Sequence, residues 1–496
     1  MPMSRRHLLT GAGALAAGPL ARFLGLGPVA QAATGPGTVP LGSVINVDAG
    51  RQLRPLTRHL VGFGWHEGGA PLASIAPLHP HLIRIDASLQ DMSAGPGAPL
   101  DLDALLARVA AARAVGGEPL VILAYVPAWL GEPSAVGRDP TRVRPANLDA
   151  WERLVHDVVL ALATAEAPAQ RFEAWNEPDI PLFWQDTPVA WVDTVERSAR
   201  AVAAVERETG LALAFGGPAT AFPDPLYLLP FLARFRDPAL PLNFLSWHYY
   251  ANYPFLGPDG AEFPVTEPVH PLVGLRNPLA SPAAYRPQVG LVRALADLAL
   301  AGTGRPPPAL VIDEWNLSAG GFDTRHDTAE GAAFAAGVLI ELQDAGLDEA
   351  AFFVATDVRG VPGEHGTVTL GGTRKPVWWT FELWQHLEAT QVAATEAGRP
   401  VDGLWSVATA GRDRVVVLVA AFQATAGPHP DRTIVIELQG LAGAPASATL
   451  RRIDAAHGAA DTAEPGAIDG TTVCFRLPTP GVAMVEVRAD GQAVSA

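Results

Sequence analysis

Hydrophobic positions along the chain fall into two alternating kinds of segment. Short runs of β-branched and other apolar residues alternate with longer alanine- and leucine-rich stretches that have the spacing of amphipathic helices. Eight short runs are typical of buried strands: 60–65, 81–86, 120–126, 171–176, 211–216, 243–248, 309–314 and 350–355. Helical spacing covers 102–114, 148–163, 189–209, 288–301 and 328–345, with a further helix at 378–387. Strands that alternate with helices predict an α/β fold, here a (β/α)8 TIM barrel.

The pattern changes after about residue 390. From there on, short alternating or β-branched runs are separated by glycine, proline and aspartate turns, at 403–409, 414–421, 433–438, 448–453, 472–477 and 482–487. This pattern is typical of an antiparallel β-sandwich. We therefore expect a catalytic barrel over 57–389 and a smaller C-terminal β-sandwich over 390–496, with 33–56 as an N-terminal segment that can add a strand to the sandwich.

The first residues have the features of an export signal. Arg5 and Arg6 form a basic twin-arginine start, a modestly apolar stretch follows, and 30–32 offers a small-residue cleavage site. We expect residues 1–32 to be a twin-arginine signal peptide and the protein to be exported, either to the periplasm or as a secreted product. An N-terminal anchor is the alternative. No later segment approaches the roughly 20 apolar residues of a membrane span, so no membrane insertion is expected after signal removal.

Composition narrows the classes of partner and chemistry. The net charge of −16 argues against nucleic acid as a partner, because phosphate binding requires a basic face. The single cysteine, Cys474, excludes an intrachain disulfide, and we expect it to be buried in the C-terminal strands. Zinc-binding, serine-elbow and phosphate-loop motifs are all missing from the sequence. We therefore expect no metal and no cofactor, while the oligomeric state is not predictable from these features.

Two strings carry the candidate chemistry. Residues 171–178 read RFEAWNEP and residues 310–316 read LVIDEWN, so that Glu177 and Glu314 each follow a predicted strand. The carboxyl ends of barrel strands meet on the face where barrel active sites lie. A retaining glycosidase needs one protonated carboxyl group to donate to the leaving oxygen and an ionised one about 5 Å away to attack the anomeric carbon. The sequence therefore predicts Glu177 and Glu314 as a catalytic pair. A lone Asn-Glu-Pro turn on the surface is the alternative for the first string.

Four further residues at predicted strand ends are candidates for substrate binding or for support of the pair. Asn176 can bind a sugar hydroxyl beside the anomeric carbon. Arg84 is a cation inside an apolar strand and needs a carboxylate partner, for which Glu314 is the first candidate, with Asp86 or another buried acid as the alternative. His248 and Tyr250 end the sixth strand, and the tyrosine hydroxyl can hold the neighbouring nucleophile. A satisfied core histidine is the alternative for His248.

Aromatic and polar side chains near other strand ends complete the predicted sugar site. Tyr125 and Trp315 are candidates for stacking on sugar rings, although either can instead be a core residue. His66 and Glu67 follow the first barrel strand and can line the deepest subsite, with a structural role as the alternative. The expected partner is therefore an oligosaccharide or glycoside substrate.

These motifs resemble those of glycoside hydrolase family 39, a family of retaining β/α-barrel glycosidases. The segment 172–179 with Phe183-Trp184 resembles the family's acid/base segment, 312–316 resembles its nucleophile segment, and 374–379 (RKPVWW) is also similar. The resemblance implies Glu177 as acid/base, Glu314 as nucleophile and retention of anomeric configuration. Asp179 stands where the family's xylosidases commonly have asparagine, and 84–88 lacks the histidine expected there.

The predicted function is a retaining glycoside hydrolase that cleaves β-linked glycosides, with β-xylosides as the first substrates. Three alternatives are an endo-acting exopolysaccharide hydrolase, an iduronidase-like enzyme of the same fold, and a carbohydrate-binding protein without turnover. The sequence does not distinguish the sugar, the linkage or the mode of action.

Overall fold

The computed structural model describes residues 42–66, 68–132, 137–252, 281–320, 322–396, 403–424 and 428–489. The predicted signal peptide and Glu67 lie outside the described residues, as do 33–41 of the predicted N-terminal segment. Among the helices of the described part, none is both long and apolar enough to cross a membrane.

Eight parallel strands close into a barrel, which confirms the predicted fold class. Strand β1 (Ser43–Pro55) precedes the barrel in the chain. The barrel strands are β2 (Phe63–Trp65), β3 (Leu82–Asp86), β4 (Glu118–Leu123), β5 (Arg171–Ala174), β6 (Ala214–Thr220), β7 (Phe244–Asn252), β8 (Ala309–Ser318) and β9 (Glu349–Phe352). A layer of apolar side chains that includes Leu82, Leu120 and Phe244 fills the amino-terminal end of the barrel interior. The polar residues described below lie towards the other end.

Seven α-helices of the described residues connect the strands and cover the barrel. They are α1 (Asp103–Ala114), α2 (Leu148–Ala163), α3 (Pro188–Thr209), α4 (Pro225–Arg234), α5 (Tyr285–Leu300), α6 (Ala329–Ala345) and α7 (Pro376–His386). Short 3₁₀ turns occupy Arg58–Leu60, Leu72–Leu78, Leu89–Asp91, Pro140–Arg142, Pro282–Ala284 and Thr324–Asp327. Helix α4 was not predicted, because Pro230 interrupts its pattern. It forms nonetheless, with Asp224 capping the backbone N–H of Leu226 and proline at its first position.

The remaining strands form one ten-stranded sheet. They are β1 (Ser43–Pro55), β10 (Thr390–Glu396), β11 (Leu404–Ala410), β12 (Arg414–Ala421), β13 (Arg432–Gln439), β14 (Pro445–Ile453), β15 (Glu464–Pro465), β16 (Ile468–Asp469), β17 (Thr472–Leu477) and β18 (Gly481–Ala489). Pairing is antiparallel except between β1 and β13, which run parallel. Side chains from both halves of the sheet, such as Ile434 and Val485, share one core, as expected for a sandwich.

Strand β12 shows how the sheet is attached to the barrel. Val415, Val417 and Val419 lie in the core of the sandwich, whereas Val416 and Leu418 belong to the core of the barrel, because side chains alternate along a strand. Helix α6 packs against both parts. The same alternation corrects one prediction: Val473 points inward, so Cys474 beside it is exposed instead of buried.

Candidate active site

The carboxyl ends of strands β3, β5, β7 and β8 bring a dense group of polar side chains together in the mouth of the barrel. These side chains are Arg84, Glu173, Asn176, Glu177, Ser246, His248, Tyr250, Asp313 and Glu314. Six of them were predicted from the sequence as site residues. Four of the nine are carboxylic acids, and most of the group is buried.

Strand β8 delivers two consecutive acids to this site. Its pairing with β7 shifts register so that Trp247 aligns with Ile312 but His248 aligns with Glu314, and Asp313 has no partner of its own. A shift of this kind is a β-bulge, which turns a side chain from the direction that strict alternation would give it. Asp313 and Glu314 therefore both reach Arg84, at 3.0 Å and 2.8 Å.

Glu314 is surrounded by groups that favour its ionised form. Arg84 donates from Nη1 to Oε2 at 2.8 Å, and the hydroxyl of Tyr250 donates to Oε1. Burial raises the pKa of Glu314, while Arg84 and the Tyr250 hydroxyl act in the opposite direction. Both contacts, Glu314 with Arg84 and Glu314 with Tyr250, were expected from the sequence and are confirmed. Of the alternative partners of Arg84, Asp86 instead accepts from the backbone of Ser88, whereas two other buried acids, Glu173 and Asp313, do pair with the arginine.

Glu177 is surrounded by groups that favour its protonated form. Its Oε1 lies 2.9 Å from Nδ1 of His248, and its backbone adopts φ 41°, in the left-handed region, with its N–H donating to the carbonyl oxygen of Ala219. Burial, followed by the charges of Glu314 and Asp179, raises the pKa of Glu177 well above its usual value. Burial, followed by the charge of Arg84, lowers the pKa of His248 well below its usual value, which favours the neutral imidazole.

The two glutamates are close enough for a double-displacement reaction. One carboxylate oxygen of Glu177, one of Glu314 and one ring nitrogen of His248 all lie within 4.8 Å of one another. Retaining glycosidases have carboxyl groups about 5–5.5 Å apart, whereas inverting enzymes need about 6.5–9.5 Å to accommodate a water molecule. The surroundings are unequal, since those of Glu177 favour a proton there and those of Glu314 include two donors to its carboxylate.

Arg84 is the cation at the centre of this acidic group. Its Nε donates to Glu173 at 2.7 Å, and its Nη2 donates to the amide oxygen of Asn176 at 3.0 Å. Burial opposes its charge, but Glu173, Asp313 and Glu314 together raise the pKa of Arg84 well above its usual value. The guanidinium therefore stays charged and fixes the orientation of Asn176 beside the glutamate pair.

Glu173 and Asp313 belong to the site but were not singled out from the sequence. Both are fully buried, and Glu173 also accepts from the hydroxyl of Ser246 at 2.6 Å. Burial, followed by the charge of Glu173, raises the pKa of Asp313 well above its usual value. A signal was present, because an acid within an apolar strand requires a partner for the same reason that Arg84 does.

The two aromatic residues predicted to stack on sugar rings, Trp315 and Tyr125, are both buried. Trp315 is fully buried, with its ring against Phe352 and Phe381, so its predicted contact with substrate is wrong. The side chain that follows Glu314 on a strand points outward to the helices. Tyr125 is 5% exposed, and the guanidinium of Arg142 lies 3.4 Å from its ring centre, so one face of the ring is covered by arginine.

His66 was predicted to line the deepest subsite. His66 is exposed at the end of β2 with its ring edge against Phe353. Its predicted role in the deepest subsite stays a prediction.

Glu177, His248 and Glu314 are also a group that could coordinate a cation, since each offers one ligand atom within the same small volume. The expectation of a metal-independent reaction stays a prediction.

Comparison with known proteins shows one relative by sequence and several by fold. No family model matches the chain. A β-xylosidase of Geobacillus stearothermophilus is 28% identical over 256 residues, which are 49% of this chain and 47% of that protein. The chain thus matches about half the length of this relative.

Solved structures share the fold over nearly the whole described chain. A monomeric β-xylosidase from Caulobacter crescentus CB15 has a TM-score of 0.70 at 19% identity, covering 90% of this chain and 99% of that one. The glycoside hydrolase family 39 enzyme from Xanthomonas axonopodis pv. citri has a TM-score of 0.67 at 19% identity, with 91% and 98% covered. A glucosidase from Croceicoccus marinus has a TM-score of 0.64 at 20% identity, with 90% and 99% covered. The fold expected from the resemblance to family 39 is confirmed.

Proposed function

We propose that the protein is a retaining glycoside hydrolase of the family 39 type that cleaves β-linked glycosides. The observation that carries this proposal is the carboxyl pair of Glu177 and Glu314. One carboxylate oxygen of each lies within 4.8 Å of the other, and the surroundings of the two groups are opposite in kind. Glu314 accepts hydrogen bonds from a cation and a hydroxyl group, whereas Glu177 faces a neutral imidazole. Such a separation of environments assigns the acid and the nucleophile.

The reaction would proceed in two displacements. In the first, the protonated Glu177 donates to the glycosidic oxygen as the carboxylate of Glu314 attacks the anomeric carbon, which gives a covalent glycosyl-enzyme and releases the leaving alcohol. In the second, Glu177 accepts a proton from water, which attacks the same carbon and releases Glu314. Asn176, held by Arg84, is placed to bind the hydroxyl beside the anomeric carbon.

The proposed substrate class is β-xylosides, and the proposed location is outside the cytoplasm. The similarity to a β-xylosidase over 256 residues supports the first. The twin-arginine sequence at Arg5 and Arg6 supports the second. Replacing both arginines by lysine should hold the protein in the cytoplasm, as measured by cell fractionation; unchanged export of that variant would contradict the proposed route.

A panel of nitrophenyl glycosides tests the proposed activity. Wild type should hydrolyse β-xyloside or another β-linked member of the panel. Glu314→Gln should abolish that turnover, because glutamine has nearly the shape of glutamate but no negative charge. Glu341→Gln is a matched control, because Glu341 is also a buried glutamate paired with an arginine, Arg286, but lies in helix α6. Loss of activity in both variants, or in neither, would contradict the assignment. Hydrolysis of polysaccharide alone would favour the endo-acting alternative, and binding without hydrolysis would favour the non-catalytic one.

A further inference from the structure

The two ring nitrogens of His248 face different carboxylic acids. Nδ1 is 2.9 Å from Oε1 of Glu177 and 3.7 Å from Oε2 of Glu314, whereas Nε2 is 3.8 Å from Oδ1 of Asp313. The side chains of His248, Glu177 and Asp313 are buried. The charged and titratable groups that face the ring come from three strands: Arg84 from β3, Glu177 from the end of β5, and Asp313 and Glu314 from β8.

Nε2 of His248 and Oδ1 of Asp313 are both unsatisfied polar atoms. Both are buried, and neither has a hydrogen-bond partner among the described residues. Buried polar atoms are nearly always hydrogen-bonded, because an unsatisfied one loses its hydration without compensation. The separation of 3.8 Å exceeds a hydrogen bond by less than 1 Å. A small movement of either side chain satisfies both atoms at once, provided that Nε2 carries the proton.

We propose that Asp313 is a positioning residue that accepts the Nε2–H of His248 and thereby fixes the imidazole in the tautomer whose bare Nδ1 faces Glu177. In that tautomer, Nδ1 accepts a hydrogen bond from the protonated carboxyl group of Glu177. The inference rests on the proposed function of Glu177 as acid/base. It adds to that function a residue that keeps the acid in its proton-donating form before substrate binds.

The tautomer has a direct effect on the acid. A bare Nδ1 stabilises the protonated form of Glu177, because only that form can donate to it. The opposite tautomer would present an N–H to the same oxygen and would stabilise the carboxylate, which lowers the pKa of Glu177. The β-bulge in β8 is what allows this arrangement, since it directs Asp313 towards His248 while Glu314 still faces the mouth of the barrel.

Asp313→Asn is the informative variant because it nearly preserves shape. Oδ2 of Asp313 lies 3.0 Å from Nε of Arg84, so the amide oxygen of asparagine should take that place beside the cation. The amide NH₂ then faces Nε2 of His248 and forces the proton to Nδ1. The same exchange in a Ser-His-Asp triad produces the wrong histidine tautomer. Glu173→Gln is the matched control, because Glu173 also contacts Nε of Arg84, and within the described part of the chain no hydrogen bond or ion pair joins it to His248.

Nitrogen-15 spectra of histidine-labelled protein test the tautomer directly, with His248 assigned by its loss in His248→Gln. Wild type and Glu173→Gln should show Nε2 protonated and Nδ1 bare, and Asp313→Asn should show the reverse. In the pH profile of kcat/KM, the alkaline limb should move down by about one pH unit in Asp313→Asn relative to Glu173→Gln.

A wild-type spectrum with the proton on Nδ1 would overturn the inference, and that spectrum decides the question even if Asp313→Asn does not fold. An Asp313→Asn variant that keeps both the wild-type tautomer and the wild-type alkaline limb would also overturn it. Failure of the proposed function has a different signature: wild type would hydrolyse no glycoside, while the spectrum would still report on the pairing of His248 with Asp313.

Discussion

Replacing Tyr250 by phenylalanine removes one hydroxyl group from the surroundings of Glu314. The hydroxyl donates to Oε1, whereas Arg84 donates to the other carboxylate oxygen at 2.8 Å. The ring itself is buried, at 4% exposed, with its edges against Phe353 and His365, and phenylalanine fills the same space. The substitution therefore tests the hydrogen bond with little change in packing.

The size of the effect follows from the charge on Glu314. A hydrogen bond to a charged group contributes about 1.5–3 kcal/mol, and about 1.4 kcal/mol corresponds to one pKa unit. The Tyr250 hydroxyl lowers the pKa of Glu314 by favouring the carboxylate, so its loss should raise that pKa. We expect an upward change of about one to two units, because Arg84 remains as the second donor.

The assay is the pH dependence of kcat/KM with an activated aryl glycoside. The acid limb reports ionisation of the nucleophile, so Tyr250→Phe should move that limb to higher pH by about one to two units. Tyr285→Phe is the control, since the Tyr285 hydroxyl donates to the backbone oxygen of Tyr249 at 3.0 Å. A lower rate at every pH with an unmoved acid limb would refute the reasoning, as would an equal movement in the control.

Three further predictions concern the acid Glu177, the ion pair of Glu349 with Arg171, and a reaction that requires no metal. Glu177→Ala should slow substrates with poor leaving groups by about 10²–10⁴-fold and activated nitrophenyl glycosides much less, and equal losses on both would contradict its role as acid. Burial opposes ionisation of Glu349, but His81 and Arg171 lower its pKa to about 2, so its contribution to stability is present above the unfolded value of about 4.3 and is lost as pH falls towards 2. Glu349→Gln should therefore lower the free energy of unfolding at neutral pH by about 3 kcal/mol, and urea titrations should show this difference shrinking below about pH 4; a difference independent of pH would contradict the ion pair. Exhaustive dialysis against EDTA should leave hydrolysis unchanged, and activity that returns only with added metal would contradict the metal-independent reaction.

Periodicity predicted the fold well because each barrel strand is an apolar run with turns on both sides. All eight predicted barrel strands overlap observed ones, and helix α2 has the predicted bounds, Leu148–Ala163. Where tertiary contacts override local pattern, prediction failed. Helix α4 forms around Pro230, and strand β10 pairs with β1 although its sequence, TQVAATE, is only weakly apolar.

The candidate site was predictable where a charged residue ends a strand and less so where geometry decides direction. Arg84, Glu177 and Glu314 were found because their types and positions are unusual. Trp315 was misplaced because alternation beyond Glu314 directs it outward. Asp313 was missed because strict alternation would not direct two consecutive residues, Asp313 and Glu314, into the site. Both point inward because of the β-bulge, which depends on the pairing between strands and is not visible in the sequence.

Trapping of the covalent intermediate tests the central claim most directly. A 2-deoxy-2-fluoro-β-xyloside with an activated leaving group should form the glycosyl-enzyme quickly and release it slowly, because fluorine destabilises the transition state of both steps while the leaving group accelerates only the first. After digestion, mass spectrometry should find one sugar adduct, on the peptide that contains Glu314, and none in Glu314→Gln. An adduct on another residue, or steady hydrolysis of ordinary β-xylosides with inversion at the anomeric carbon, would contradict the account.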